Sequence, residues 1–253
     1  MPKIECRNLT KVFQIGRRTF EAIEDLSFDI NSGELVSVVG KTGCGKSTTL
    51  SIILGLEKPT RGRVTIDGSE PYNDFDSFRG KLSAVFQTDR LLPWRTALEN
   101  ARVGLEILQL GKKEQLDRAR YWLDKLGLAG FDNAYPHELS GGMRQRVGIA
   151  RAFSVDPEIL LCDEAFGHLD EVTAIKLRAD FLELVRETRK TSVFITHDID
   201  EAVDLGERVL VLGNSARLLA DVQLRAGIKN DPAKRGELKG RIIKAIERDE
   251  PAE

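Results

Sequence analysis

The sequence predicts an α/β fold built on a parallel sheet buried on both faces. Two apolar runs carry that expectation. ILLC at 159–162 and SVFIT at 192–196 are nearly free of charge, and a helical stretch at 171–188 separates them. Continuous apolar strands joined through a helix are the pattern of parallel strands covered on both sides. The third observation is the strand-like run ELVSVV at 34–39, followed by a glycine-rich turn and a helix at 48–55.

The other elements follow in order. Within the first 70 residues, short runs at 3–9, 26–30 and 63–66 are rich in β-branched residues and broken by Asn31-Ser32-Gly33 and Asp67-Gly68. These are strand and turn signals. A further strand is read at 83–86. Leu116, Ala119, Leu123 and Leu126 recur at helical spacing, with Gly127 as a stop, so the stretch from about 88 to 156 reads as a helical insertion between strand-bearing parts. The last 30 residues are strongly charged. There Leu238, Ile242 and Ile246 share one face, which predicts a short surface helix before a loose end. No internal repeat or low-complexity segment interrupts the chain.

With 41% hydrophobic and 31% charged residues in a chain of 253, the composition is that of a globular domain with two lobes. The formal net charge of −2 argues against a nucleic-acid partner. Three scattered cysteines, Cys6, Cys44 and Cys162, indicate a reducing compartment without a disulfide framework. The apolar runs are strand-length, far short of the 18 or so residues of a membrane span. The start, MPKIECRNLTKVF, lacks an apolar signal core. The expectation is a soluble protein made in the cytosol, held at any membrane by something else.

The glycine-rich turn carries chemistry. Gly40-Lys41-Thr42-Gly43-Cys44-Gly45-Lys46-Ser47, followed by Thr48, fits the pattern G-x-x-x-x-G-K-[ST] between a strand and a helix. Glycines let successive N–H groups approach phosphate oxygens, and the helix start adds its positive dipole end. Lys46 would reach the β- and γ-phosphates of ATP, and the Ser47 hydroxyl would bind Mg²⁺. A thiol at Cys44 should then let a bulky maleimide block the nucleotide. Downstream, the apolar strand at 159–162 ends in Asp163 and Glu164. Carboxylates at a sheet's carboxyl edge sit where ligands bind in open α/β folds. Asp163 would hold Mg²⁺ through its water shell, and Glu164 would take a proton from, or orient, the attacking water.

Leu139-Ser140-Gly141-Gly142-Met143-Arg144-Gln145 resembles the LSGGQ-type signature of ABC ATPases. Ser140 is a natural N-cap, and the helix behind it is a second anion-binding start. The resemblance covers roughly residues 3–212. It implies a P-loop NTPase fold: a RecA-like core with an antiparallel β-subdomain and an inserted helical subdomain. On that basis 1–220 is the ABC ATP-binding domain, with the helical subdomain at about 88–155, and 221–253 is a charged tail with a short helix.

The same resemblance implies roles. Gln87 looks like the Q-loop glutamine that contacts Mg²⁺ and the water. Asp170 looks like the D-loop aspartate, His197 like the switch histidine at the γ-phosphate, and Phe13 like the aromatic that stacks on adenine, with Phe20 as its rival. Lys46, Gln87, Glu164 and His197 would form the catalytic set. The family pairs two such subunits head to tail, as a homodimer or pseudo-dimer, each ATP lying between the phosphate loop of one and the Ser140–Gly142 segment of the other.

Thr88 to Asn100 is similar to the LLPW-x-T-x-x-x-N stretch of nitrate, sulfonate and taurine importer subunits. Leu91, Leu92 and Trp94 would suit docking of transmembrane permease subunits, with an extracytoplasmic solute-binding protein as an indirect partner. The expected place is the cytoplasmic face of the plasma (inner) membrane, as a peripheral subunit. The alternatives are an exporter or lipid-handling ABC system and a soluble non-transport ABC ATPase. Two departures stand out: Ala165 where the D-loop commonly begins with Pro, and His168 where a small residue is usual. A titratable group there would make a closed dimer sensitive to acid.

Overall fold

The computed structural model describes residues 2–167, 169–224, 227–229 and 231–249. His168, and with it the acid sensitivity expected of it, lies outside the described residues. The chain forms two compact units, Met1–Phe78 with Thr191–Glu253, and Arg79–Lys190. The first unit opens with β1 (Ile4–Ile15), β2 (Arg18–Ile30), β3 (Leu35–Gly40), α1 (Lys46–Ile53) and β4 (Arg61–Ile66). The second holds β5 (Leu82–Val85), α2 (Ala97–Ala101), α3 (Val103–Ile107), α4 (Lys112–Lys125), α5 (Gly141–Ser154), β6 (Ile159–Asp163) and α6 (Glu171–Thr188). The chain then returns to the first unit with β7 (Thr191–Thr196), α7 (Ile199–Leu205), β8 (Arg208–Leu212), β9 (Leu218–Gln223) and α8 (Pro232–Glu247).

The first unit contains an antiparallel sheet ordered β2-β1-β4. β1 and β2 run longer than their sequence pattern indicates. They continue as a hairpin through Gly16-Arg17, with Gly16 in the left-handed region at φ 63°. This extension is mostly exposed, so it carries no apolar alternation to read. β3 pairs in parallel with β7 on one side and β8 on the other, and β9 closes the edge antiparallel to β8. Every residue of β3 and β7 is buried, which is why their sequences carry no charge and are mostly apolar. Val39 stands opposite Thr196 in the register. The glycine-rich turn after Gly40 and His197 therefore leave the sheet at the same edge.

The charged segment near the end of the chain is not a loose surface addition. α8 is 16 residues long, and its Leu238 and Ile242 are buried in one core with Val39, Val209, Val211, Ala202 and Val203. Arg235 reaches Asp200 at 2.8 Å and Asp204 at 2.5 Å, and Lys239 reaches Asp200 at 2.6 Å. Exposed ion pairs of this kind add little. Burial of the two apolar side chains, worth about 1.5–3 kcal/mol each, contributes more to docking the helix. Its spacing is visible in the sequence; its long-range core is not.

In the second unit β5 and β6 are parallel, with Val85 opposite Cys162. Gln87 and Glu164, each two residues beyond those partners, leave the same carboxyl edge. α5 is the central helix, with Val147, Ile149, Ala150 and Phe153 fully buried. Aromatic contacts tie its neighbours to it: Trp122 to Phe153 at 4.8 Å, Phe153 to Phe181 at 6.0 Å, and Phe181 to Phe166 at 5.7 Å. Thr96 and Glu99 close a capping box at the start of α2.

Candidate functional site

The phosphate loop of the first unit is shaped by contacts that admit only glycine at two points. A Cβ on Gly45 would run into the Ala22 carbonyl, and one on Gly40 into the Leu212 carbonyl. Gly45 at φ 110° also serves as the N-cap of α1, so the helix starts at Lys46, two residues before its apolar pattern begins. No side chain caps this helix and no acid lies in its first turn. No acid of the helix itself therefore offsets its N–H groups and positive dipole end, which suits the binding of an anion. Lys46 is buried, and its Nζ donates to the Gly40 carbonyl at 2.7 Å and the Lys41 carbonyl at 2.8 Å. The ammonium is thus fixed over the loop. Ser47 is exposed and Thr48 half-buried on the first helical turn.

Cys44 points inward, only 5% exposed. Burial pushes its thiol up, against a smaller downward pull from the Lys46 ammonium. Both the burial and the upward shift work against the expected sensitivity to maleimide, because the thiolate is the reactive form and it is disfavoured here. In the folded protein, alkylation at Cys44 should run at least about a hundredfold slower than in denaturant. Peptide mass spectrometry on timed samples checks this; equal rates would place the thiol at the surface.

Phe13 and Phe20 are direct cross-strand partners in the β1–β2 hairpin. Phe20 is 51% exposed, whereas Phe13 is half-buried with the Lys11 ammonium 4.7 Å above its ring. His197 is exposed just past β7. Asp198 accepts from the Asp200 and Glu201 amides and so caps α7 directly behind it.

In the second unit, Gln87 Nε2 donates to Glu164 Oε2 at 3.2 Å. Glu164 has φ 46°, a left-handed conformation that costs a non-glycine residue about 1–3 kcal/mol and persists where the surroundings impose it. One side chain to which the sequence motifs gave no role braces the segments on either side. Gln145, buried in α5, donates from Nε2 to the Phe86 carbonyl at 3.1 Å and the Ala165 carbonyl at 2.7 Å. It ties the residue before Gln87 to the residue after Glu164. On the adjacent position of the helix, Arg144 donates to Asp89 at 3.0 Å. Asp163 is half-buried at the end of β6.

The turn at 91–95 owes its shape to Asn100, which is fully buried. Its Nδ2 donates to the carbonyls of Leu92, Arg95 and Thr96, and its Oδ1 accepts from the Leu92 amide at 2.8 Å. The sequence pattern named this asparagine without its reason. The turn leaves Trp94 70% exposed, while Leu91 and Leu92 are half-buried. Ser140 caps α5 by accepting from the Met143 amide at 3.3 Å, with Gly141 exposed beside it. Asp170 caps α6 by accepting from the Thr173 amide at 3.0 Å, and that bond holds its carboxyl below the usual range.

Against known proteins, residues 23–167 match the family model described as ABC transporter. An uncharacterised ABC transporter ATP-binding protein of Methanocaldococcus jannaschii is 43% identical over 83% of this chain and 77% of its own length. A taurine import ATP-binding protein of Yersinia pestis is 39% identical over 89% and 93%. A nitrate import ATP-binding protein of Synechocystis is 40% identical over 83% and 78%. Among solved structures, a bacterial ABC transporter cassette in dimeric form superposes with a TM-score of 0.79 at 37% identity, covering 88% of this chain and 99% of that one. A dimeric post-hydrolysis state of that cassette, bound to ADP and phosphate, gives the same TM-score at 36% identity. The P-loop α/β fold with its antiparallel sheet is the fold of these cassettes.

Proposed function

The chain belongs to the ABC transporter family, and from that premise we propose that it is the ATP-hydrolysing subunit of an importer for a small solute. The observation that carries the chemistry is the uncapped start of α1, with Lys46 fixed over the loop. The loop N–H groups and Lys46 hold the β- and γ-phosphates of ATP. In the second unit Glu164, oriented by Gln87, accepts the proton of the attacking water. The water oxygen bonds to the γ-phosphorus as the bond to the β-phosphate oxygen breaks, giving ADP and phosphate. The protein forms no covalent bond to phosphorus, so positioning and charge do the work. His197 steadies the γ-phosphate, and Phe13 stacks on the adenine.

Mg²⁺ fits the donors present. Among the described residues no three His, Cys, Asp or Glu converge as a metal cage. The Ser47 hydroxyl in the first unit, and the Asp163 carboxylate and Gln87 amide oxygen in the second, are hard-oxygen donors of the kind Mg²⁺ takes beside substrate phosphates. The ion, when bound, would neutralise charge on the β/γ-phosphates.

The subunit works as a head-to-tail pair, with Ser140, Gly141 and Gly142 of one copy and Asp170 near its seam facing the ATP of the other. Trp94, with Leu91 and Leu92, is the surface offered to permease subunits, and a solute-binding protein would deliver cargo on the far side. No described helix is long and apolar enough to cross a membrane. In this reading the permease holds the subunit at the cytoplasmic face. The relatives named for taurine and nitrate import favour a small solute of that size. Phosphate release by the purified chain tests this reading, with and without chelator, before and after adding vesicles that carry its permease. Release that needs Mg²⁺ and rises with permease is expected; release indifferent to both would sink it.

A further inference from the structure

The chain following α8 reaches the back of the phosphate loop. Asp249, two residues beyond that helix, has a side chain only 6% exposed. Its Oδ2 accepts from the Asn214 amide at 2.5 Å, its Oδ1 from the Arg217 guanidinium, and its carbonyl from Asn214 Nδ2 at 2.7 Å. Arg217 also lies 3.8 Å from Glu24. Gly213 makes room for this carboxylate, since a Cβ there would strike Asp249 Oδ2.

The turn that Asp249 grips is strained. Ser215 and Ala216 both lie in the left-handed region, at φ 51° and 50°, although neither is glycine. Two consecutive residues of this kind persist only where several contacts hold them. The other contacts lead to the nucleotide site. The Ala216 amide donates to the Cys44 carbonyl at 2.6 Å, inside the phosphate loop. Ser215 Oγ donates to the Glu21 carbonyl at 2.9 Å. A Cβ on Gly45 would lie 3.0 Å from the Ala216 side chain, so this turn is the wall against which the loop closes. Lys41 of the loop and Asp249 line the same small crevice with Asn214 and Ile246.

We infer that Asp249 is a positioning residue for the phosphate loop: by holding the strained 213–217 turn it keeps the Cys44 carbonyl, and with it the loop N–H groups, set for a nucleotide phosphate. It touches no substrate. The inference rests on the ATP-binding reading above and gives the segment after α8 a part in nucleotide affinity.

The test compares the full chain with Asp249→Ala, Asp249→Asn and Leu238→Ala. Three quantities are read: Kd for mant-ATP with Mg²⁺, the KM and kcat for ATP, and the melting temperature without nucleotide. Asp249→Ala should raise Kd and KM about tenfold with kcat held within about twofold, because bonds to a charged acceptor are lost from the turn alone. Asp249→Asn keeps one acceptor oxygen and should raise both about threefold. Leu238→Ala loosens α8 in its core and should lower the melting temperature with Kd unchanged, which separates positioning from general stability. An unchanged Kd in both Asp249 variants overturns the inference. So does an equal rise in Leu238→Ala. If Asp249→Ala does not fold, Asp249→Asn decides alone by the same criterion. Failure of the unmodified chain to bind mant-ATP would overturn the ATP-binding reading instead.

Discussion

Lys46→Ala removes ATP hydrolysis, with kcat/KM for ATP falling by about 10²–10³-fold or more. The reason lies in where the charge sits. Lys46 is 4% exposed, and two loop carbonyls hold its Nζ over the phosphate loop. A cation fixed in that way needs little reorganisation to meet charge developing on the β/γ-phosphates, which is where electrostatic catalysis gains most. Alanine deletes the charge and leaves the Gly40 and Lys41 carbonyls without their donor. That second loss costs about 1–3 kcal/mol of local stability, so the loop itself relaxes and ATP binding weakens as well. Phosphate release and ATP titration are measured on the same preparation, with circular dichroism to confirm the fold. A folded variant that turns over ATP at the unmodified rate removes Lys46 from the site.

The parts legible in the sequence are those set by local pattern. The apolar runs at 159–162 and 192–196 became β6 and β7, and the helical stretch at 171–188 is α6 to the residue. The phosphate loop was legible because its chemistry demands a fixed spacing. Features that depend on distant partners were not. β9 was not anticipated: it is an edge strand, half exposed, and only pairing with β8 makes it a strand. Gln145 looks like any polar residue on a helix until β5 and β6 place two carbonyls within its reach. The left-handed Glu164 leaves no mark at all, because the residue type gives no hint of the imposed conformation. The same holds for Asp249, one of 40 acidic residues, whose partners lie more than 30 positions upstream.

Glu164→Gln keeps ATP binding and lowers kcat by about 10²–10⁴-fold. The substitution preserves length and shape and carries the same backbone demand at φ 46°, so the loop after β6 has little reason to move. Gln145 still bridges Phe86 and Ala165, because those bonds go to backbone carbonyls. The 3.2 Å contact with Gln87 also survives, since an amide oxygen can accept where the carboxylate did. What disappears is the capacity to take a proton from water. In the proposed reading nucleotide affinity resides in the phosphate loop and Lys46, which the change does not touch, so Kd for ATP should stay within about threefold while turnover stops. A head-to-tail pair that closes on ATP and reopens on hydrolysis should then accumulate in its closed form. Size-exclusion chromatography of the variant with Mg²⁺-ATP is expected to show a dimer that ADP does not support. A variant that hydrolyses ATP at the unmodified rate shows that Glu164 is not the base. One that is inactive, binds ATP and stays monomeric keeps the base assignment and removes the ATP-driven pairing, so the two claims separate on a single protein.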